Sequence, residues 1–329
     1  MKLIGISAYY HDAAAALIVD GDIVAAVQEE RFTRKKGDES FPANSIQWIL
    51  DSQGLSLDQV DGIVYYEKPW WTFERILETH LENAPKSFPA FLHAIPVWLN
   101  QKLNTRSLLK KGFKKHFKYN LPTEKIFFSA HHLSHAASAY YPSPFSSAAV
   151  LCVDGVGEWA TASIWKAEGS QLEALWELHF PHSLGLFYSA MTVFCGFKVN
   201  SGEYKLMGLA PFGKPRFVEL IKKELVQIKD DGSIELNMNY FEYARGLKMF
   251  NKKLDDLFGV PPRPFEGAMP DIYKDIAAST QALTNEIMLM WARKAQAMTG
   301  EKNLCLSGGV ALNCVANGLI VNNKIFEQV

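Results

Sequence analysis

Short apolar runs separated by small and polar residues dominate two stretches of the chain, and both stretches have the same layout. In each, three apolar runs are joined by two turns, which is the pattern of a three-stranded meander. The six runs are Lys2–Ser7, Ala13–Val19, Ile23–Val27, Ala148–Val153, Thr161–Trp165 and Leu172–His179. The second set begins about 146 residues after the first, so the sequence predicts an internal duplication.

Helical periodicity and single strands follow each meander. Helices are predicted at Pro42–Ser52, through most of Trp70–Lys118, and at His131–Tyr141, Pro270–Thr299 and Val310–Asn322. Further strands are predicted at Gly62–Tyr66, Ile126–Ser129 and Asn303–Leu306. A duplicated meander with helices after each copy is the plan of the α/β actin-like ATPase (ribonuclease H-like) fold.

This plan predicts two subdomains. The first covers residues 1–145, with a helical insertion at about 70–120, and the second covers residues 146–329. A doubly wound sheet normally adds further strands after the last predicted helix, but the chain stops at Val329. We therefore expect the second subdomain to be incomplete and the chain to be a C-terminally truncated piece of a longer protein.

Composition narrows the class of protein. The 329 residues include 34 Lys and Arg against 35 Asp and Glu, and 48% are hydrophobic, which excludes a disordered chain. The near-zero net charge gives no overall attraction to nucleic acid or to an anionic membrane. The four cysteines form no CxxC pair, which favours a reduced, cytoplasmic protein.

Two segments resemble membrane or targeting signals, but neither is interpreted as one. The apolar N-terminus is interrupted by His11 and Asp12, so a signal peptide is not expected. Ile126–Val153 has no Asp, Glu, Lys or Arg, and it is long enough to span a bilayer. It also contains three histidines and two prolines, so a buried strand–helix–strand unit explains it better.

The segment His131–His135 is the strongest candidate for metal chemistry. His131 and His135 are four residues apart, so on a helix they share a face and can chelate one divalent ion. Asp154, at the end of a predicted strand, can add an oxygen ligand. Such a donor set suits Fe²⁺, Zn²⁺ or Mn²⁺. The alternative is a pair of buried, hydrogen-bonded histidines.

Two glycine-containing segments are candidates for substrate binding. Glu203 and Lys205 lie between glycines in Gly202–Pro211, which is typical of a substrate-facing loop. The alternative is a surface ion pair beside a helix cap. Gly308 and Gly309 join a strand to a helix, where free N–H groups suit a nucleotide.

Three further residues are placed where they can approach a nucleotide. Asn313, about one turn into the predicted helix, can contact ribose or phosphate. Gly155 lies in the second turn, where a small residue lets backbone N–H groups approach an anion. His11 lies in the first turn. Tight packing is the alternative for the glycines.

A basic stretch, Lys102–Lys118, contains seven Lys and Arg residues and no acid. At helical spacing these residues form a positive face that can meet RNA, an acidic partner or a polyanionic substrate. A solvated helix face is the alternative, because the chain as a whole is neutral.

Four ordered motifs, HHLSHAASAYYPSPF, VDGVGE, GEYKLMGLAPFG and LSGGVALNCVANG, resemble those of the O-carbamoyltransferase family. The opening GISAYYHDAAAALIVDG and the segment EERFTRKK also fit. The family includes nodulation and antibiotic-biosynthesis carbamoyltransferases. Its first domain is actin-like and is related to the tRNA threonylcarbamoyladenosine enzymes.

The resemblance implies a two-step reaction. A C-terminal domain, expected to be absent from this chain, hydrolyses carbamoyl phosphate to carbamate. The actin-like domain then joins carbamate to ATP, and a hydroxylated small molecule or saccharide accepts the carbamoyl group. The implied cofactors are ATP and a divalent metal, with Fe²⁺ favoured over Mn²⁺, Zn²⁺ and Mg²⁺. No membrane partner is expected, nucleic acid is not favoured, and a homodimer is left open.

Carried over by position, the resemblance implies roles for the candidate residues. His131, His135 and Asp154 match the metal site, and Gly308, Gly309 and Asn313 match the nucleotide-binding turn. His11, Glu203 and Lys205 match polar residues that face the reaction centre. A tRNA-modifying relative, a non-catalytic nucleotide-binding module and, less favoured, a sugar kinase remain as alternatives.

Overall fold

The computed structural model describes residues 1–97, 103–265 and 267–329. The chain divides into two compact units, one formed by residues 1–74 and 92–134 and the other by residues 75–91 and 135–329. The division falls inside three helices, each of which is continuous. These units are defined by packing, and the subdomain boundary near residue 145 stays a prediction.

The first unit is built on a five-stranded sheet. Its strands are β1 Lys2–Ser7, β2 Ala14–Val19, β3 Asp22–Gln28, β4 Gly62–Tyr65 and β5 Ile126–Phe128. Their order in the sheet is β3-β2-β1-β4-β5. The first three strands pair antiparallel, whereas β4 pairs parallel with β1 and β5 pairs parallel with β4.

Six α-helices lie among the described residues of the first half of the chain. They are α1 Glu30–Thr33, α2 Ala43–Gln53, α3 Pro69–Glu82, α4 Phe88–Val97, α5 Thr105–Phe117 and α6 His131–Tyr140. Ile46 and Ile49 of α2 and Phe113 of α5 are buried in the core with the strands. Gly112 lets α5 approach that core, because a Cβ there would lie 2.5 Å from the Phe41 ring.

The second unit repeats the strand plan. Its main strands are β6 Ser147–Val153, β7 Ala160–Glu168, β8 Gln171–His179 and β11 Leu304–Ser307, with a separate hairpin of β9 Val226–Ile228 and β10 Ile234–Leu236. The sheet order is β11-β6-β7-β8. Strands β6, β7 and β8 form an antiparallel meander, and β11 pairs parallel with β6.

Six further α-helices follow β8 among the described residues of the second unit. They are α7 Leu184–Phe194, α8 Glu203–Leu209, α9 Val218–Glu224, α10 Lys253–Phe258, α11 Asp271–Thr299 and α12 Cys314–Asn322. Helix α11 confirms the helix predicted at Pro270–Thr299, and its Ile276, Leu283 and Ile287 are all buried. Strand β6 is buried over all but its first residue, which explains why that stretch lacks charge.

The shared order of a meander followed by a strand parallel to its first member confirms the predicted duplicated α/β actin-like fold. The charge-free segment forms β5, α6 and β6, as predicted. Across the described residues, no helix combines the length and the apolar character needed to cross a membrane.

Two local predictions were wrong, and one element was missed. Gly202–Pro211 is not a loop but mostly helix α8, because Leu206 is buried against the core and Glu203 accepts hydrogen bonds at the N-terminus of the helix. The predicted helix from Val310 begins instead as a 3-10 turn, Gly309–Leu312, and α12 starts only at Cys314. The β9–β10 hairpin was not predicted.

Candidate metal and nucleotide site

Asp154 is the centre of the site because its carboxylate has two separate contacts. It follows directly after β6, at the point where the meander turns. Its Oδ2 lies 3.3 Å from Nε2 of His135 on α6. Its Oδ1 accepts a hydrogen bond from the Gly309 N–H at 3.1 Å. One carboxylate therefore holds both a helix and the turn after β11.

The three predicted metal ligands are brought together. His131 begins α6 and His135 follows one turn later on the same face. The ligand atoms that His131, His135 and Asp154 offer all lie within 4.8 Å of one another. The side chain of His131 also packs edge-on against Tyr66, with ring centroids 5.7 Å apart.

This donor set fits a divalent cation. Two imidazole nitrogens and one carboxylate oxygen suit Fe²⁺, Mn²⁺ or Zn²⁺ and leave coordination positions open for a ligand. All three residues are half-buried, so their side chains are partly removed from solvent. The contact between His135 and Asp154 also fits the alternative of a simple hydrogen-bonded pair.

The glycine turn is packed so tightly against β6 that it excludes side chains. Gly308 has φ +90°, and a Cβ there would clash with the backbone carbonyl of Val153. A Cβ on Gly309 would lie 3.0 Å from Oδ1 of Asp154. Both glycines are therefore needed for close approach of the turn to β6 and to Asp154.

The second meander turn is also tied to the start of α7. The Ser183 hydroxyl donates to the Gly155 carbonyl at 2.6 Å and accepts from the Leu186 N–H as the N-cap of α7. Gly185 packs on the same turn, since a Cβ there would lie 2.5 Å from the Asp154 carbonyl oxygen. Sequence reasoning singled out Gly155 but missed Ser183 and Gly185.

Asn313 lies in a different place from the one the sequence predicts. It is the N-cap of α12 and not one turn inside a helix, and its Oδ1 accepts from the Ala316 N–H at 3.1 Å. Its side-chain amide also pairs with that of Gln281 on α11. Asn313 is buried, so its structural contact with the turn is established, whereas contact with ribose or phosphate stays a prediction.

Glu203 and Lys205 are both on α8 but differ in their contacts. The Glu203 carboxylate accepts from the Ser189 hydroxyl at 2.9 Å and from the Asn200 N–H at 3.0 Å. Among the described residues, the Lys205 side chain has no hydrogen bond or ion pair and is exposed. Glu203 is therefore held by these hydrogen bonds and not by an ion pair with Lys205, the alternative stated above.

Helix α8 runs beside the start of α12. The Sδ of Met207 on α8 and the Sγ of Cys314 on α12 are 3.8 Å apart. Within the second unit, the helix that carries Glu203 and Lys205 therefore lies next to the end of the glycine turn.

His11 belongs to the first unit. It lies in the turn between β1 and β2, and its Nδ1 is 2.8 Å from Oδ2 of the neighbouring Asp12. Both side chains are about half exposed, at 50% and 52%. The backbone N–H of Tyr9 and that of Ala13, on either side, bind main-chain carbonyls in the segment before α2.

The basic stretch forms part of α5. Leu109 and Phe113 bury the inner face of this helix, and Lys111 and Lys115 are exposed. Lys110 donates to the Thr123 hydroxyl at 2.9 Å. Lys102, the first residue of the predicted stretch, lies outside the described residues.

Comparison with known proteins agrees with the motif resemblance. A family model described as "Carbamoyltransferase N-terminus" matches residues 2–329. The Synechocystis protein sll1178 is 55% identical over 330 residues, which cover 99% of this chain and 53% of that protein. Nodulation protein NolNO of Sinorhizobium fredii is 30% identical over 323 residues, covering 98% of this chain and 44% of that protein. The chain thus spans about half the length of these relatives.

Among solved structures, HypF of T. kodakarensis aligns with the whole chain and 45% of its own length. The sequence identity is 12% and the TM-score is 0.45. This likeness is distant, and the fold assignment rests on strand order.

Proposed function

The chain belongs to the carbamoyltransferase family, and we propose that it binds ATP and a divalent metal and forms carbamoyl adenylate for transfer to a hydroxyl group. The observation that carries the proposal is the shared carboxylate of Asp154, which contacts His135 and the Gly309 N–H. A group placed in this way can connect a metal site to a phosphate-binding turn. The relatives are longer, so the activity of the whole protein is part of the proposal.

The metal-binding side chains are assigned to the α-phosphate of ATP. Two imidazoles and a carboxylate would hold one divalent ion, which when bound would supply positive charge to neutralise phosphate oxygens. The turn at Gly308 and Gly309 would hold the nucleotide, because it precedes the N-terminus of helix α12.

The proposed reaction consists of two substitution steps. A carbamate oxygen attacks the α-phosphorus of ATP, the bond to the bridging oxygen breaks, and pyrophosphate leaves. The acceptor hydroxyl then attacks the carbamoyl carbon, loses its proton, and displaces AMP. Adenylation is needed because free carbamate has a poor leaving group. We assign the supply of carbamate from carbamoyl phosphate to a region not contained in these 329 residues.

Lys205 and Glu203 are assigned different tasks on α8. The exposed Lys205 ammonium is available to orient the carbamoyl oxygens or a phosphate. The Glu203 carboxylate is held by Ser189 and Asn200, and it is available as an acceptor for the proton of the acceptor hydroxyl. His11, on the first meander turn, is assigned to the phosphate side of the reaction.

The experiment is a product analysis with the 329-residue protein. ATP, ammonium carbamate and Mn²⁺ or Fe²⁺ are supplied, and pyrophosphate, phosphate and AMP are measured. The proposal expects pyrophosphate release that requires both carbamate and metal and stops with a chelator. Release of phosphate and ADP instead would contradict adenylation and favour a kinase-like reaction.

The exposed lysines of α5 favour one second candidate, a tRNA-modifying function. Lys111, Lys114, Lys115 and Lys118 are all exposed on or just after this helix, and a positive stripe can bind a phosphate backbone. Retention of labelled tRNA at physiological salt, lost on changing these lysines to glutamine, would support it. Failure to retain tRNA would leave carbamoyl adenylate formation as the favoured function.

A further inference from the structure

Gln281 is a polar residue in the buried face of a long helix. It lies in the middle of α11, one turn after the buried Ala277 and one turn before Asn285, and it is 5% exposed. A buried amide is costly unless its donors and acceptors are paired. Gln281 has hydrogen bonds to three side chains, and together they use its two donors and two acceptor sites.

The partners of Gln281 determine which way its side-chain amide is oriented. The Tyr188 hydroxyl on α7 donates to Oε1 of Gln281 at 2.9 Å. Burial raises the pKa of Tyr188, so this hydroxyl keeps its proton and acts as a donor. The oxygen of Gln281 is thereby directed to Tyr188, and its Nε2 donates to Asn285 at 2.7 Å.

The same amide pairs head to tail with Asn313. Nε2 of Gln281 donates to Oδ1 of Asn313, and Nδ2 of Asn313 donates back to Oε1 of Gln281, each at 3.0 Å. Because Oδ1 of Asn313 also accepts the Ala316 N–H, the pairing selects the amide orientation that caps α12. The Asn313 N–H in turn donates to the Val310 carbonyl, inside the glycine turn.

We propose that Gln281 is a positioning residue. Tyr188 orients the side chain of Gln281, and Gln281 in turn fixes the side chain of Asn313. The geometry of the turn Gly308–Asn313, which receives the nucleotide, is thereby fixed as well. The inference rests on the proposed function, but it assigns to α11 and α7 a part in nucleotide binding. Gln281 acts through Asn313 and needs no contact with the ligand.

The test compares Gln281→Met with Thr280→Val in the 329-residue protein. Methionine has a similar length but no amide, so Tyr188 and Asn313 lose their partner. Thr280 is the matched control, because it is also buried in α11 but its hydroxyl bonds only the Ile276 carbonyl of the same helix. Gln281→Glu is a second variant, which keeps the acceptor for Tyr188 but removes the donor to Asn313.

Two readouts separate positioning from general destabilisation. Hydrogen exchange at residues 309–317, measured without nucleotide, is expected to be faster in Gln281→Met and Gln281→Glu and unchanged in Thr280→Val. The dissociation constant for ATP is expected to rise about tenfold in the Gln281 variants and less than about twofold in the control. In Gln281→Met combined with Asn313→Ala, the rise should equal that of Asn313→Ala alone.

Unchanged exchange at the turn in both Gln281 variants, or additive effects in the double variant, would overturn the inference. If the unaltered protein binds no ATP, the proposed function fails, and the exchange measurement alone then decides whether Gln281 fixes the turn. Hydrogen exchange that is accelerated equally in Thr280→Val would also count against the inference, because it would indicate a general loosening of α11.

Discussion

The two meander turns of this molecule have the same position in the strand plan but different surroundings. The first joins β1 to β2 and carries His11 beside Asp12, both half exposed. The second joins β6 to β7 and carries Asp154, whose carboxylate contacts a histidine of α6 and the N–H of Gly309. Duplication has therefore kept the backbone plan, whereas fixed side-chain contacts are concentrated at the second turn.

The two turns also differ in how closely other segments pack against them. Gly185, Gly308 and Gly309 each approach the second turn so closely that a Cβ would meet its backbone, the end of β6 or the carboxylate of Asp154. In the first turn, Asp12 adopts φ +53° and its side chain is 52% exposed. We expect substitutions at the second turn to have much larger effects than those at the first.

The largest effect is expected from Asp154→Ala. It removes one of the three proposed metal ligands and also the acceptor for the Gly309 N–H, so the affinity for Mn²⁺ or Fe²⁺ should fall by roughly 100-fold or more. Titration calorimetry measures the affinity, and circular dichroism checks that the fold is kept. His131→Ala should behave alike, and full metal binding by both variants would refute the site.

Gly308→Ala should come next. The new Cβ clashes with the Val153 carbonyl at φ +90°, and we expect a loss of about 3 kcal/mol in the free energy of unfolding. The matched control is Gly259→Ala, which has φ +70° but nothing within 4 Å of the new Cβ, and it should lose about 1 kcal/mol. Denaturant unfolding gives both values; equal losses would mean that close packing on β6 is unimportant.

Lys205→Ala should affect the chemistry more than the binding. The side chain is exposed, so the fold should be unchanged, while the rate of pyrophosphate release should fall about tenfold and the ATP dissociation constant should change little. Lys111→Ala on α5 is the control for loss of an exposed lysine. Equal losses of rate and of ATP affinity would argue against a role in acyl chemistry.

The smallest effect on binding and stability should come from His11→Ala. Because this side chain is half exposed and contacts its chain neighbours Tyr10 and Asp12, the unfolding free energy should change by less than about 0.5 kcal/mol. Metal affinity should also be unchanged, while pyrophosphate release slows. A fall in metal affinity as large as that in Asp154→Ala would show that the two turns contribute equally to metal binding.

Local spacing explains what the sequence could predict at the site. His131 and His135 share a helical face at any register of that helix, and Asp154 follows an apolar run that could only be a buried strand. Helix starts were harder: the 3-10 turn before α12 uses four residues that a continuous helix would include, so Asn313 became a cap.

Contacts between distant segments could not be predicted from periodicity. Gln281 could have been noticed as a polar residue among buried positions of α11, but its partner Asn313 lies 32 residues away. Helix α8 was missed because Gly202 and Gly208 indicate a loop, whereas burial of Leu206 stabilises a short helix. The β9–β10 hairpin has three-residue strands, too short for a clear alternating pattern.

If Asp154 connects metal binding to nucleotide binding, the affinity for ATP must depend on metal. Titration of ATP into the protein with and without metal measures this dependence. In the unaltered protein, ATP should bind more tightly with Mn²⁺ than with chelator. Asp154→Asn retains an acceptor for Gly309 but loses the charge, so ATP should still bind, with little dependence on metal. The same ATP affinity in the unaltered protein with metal and with chelator would contradict the claim.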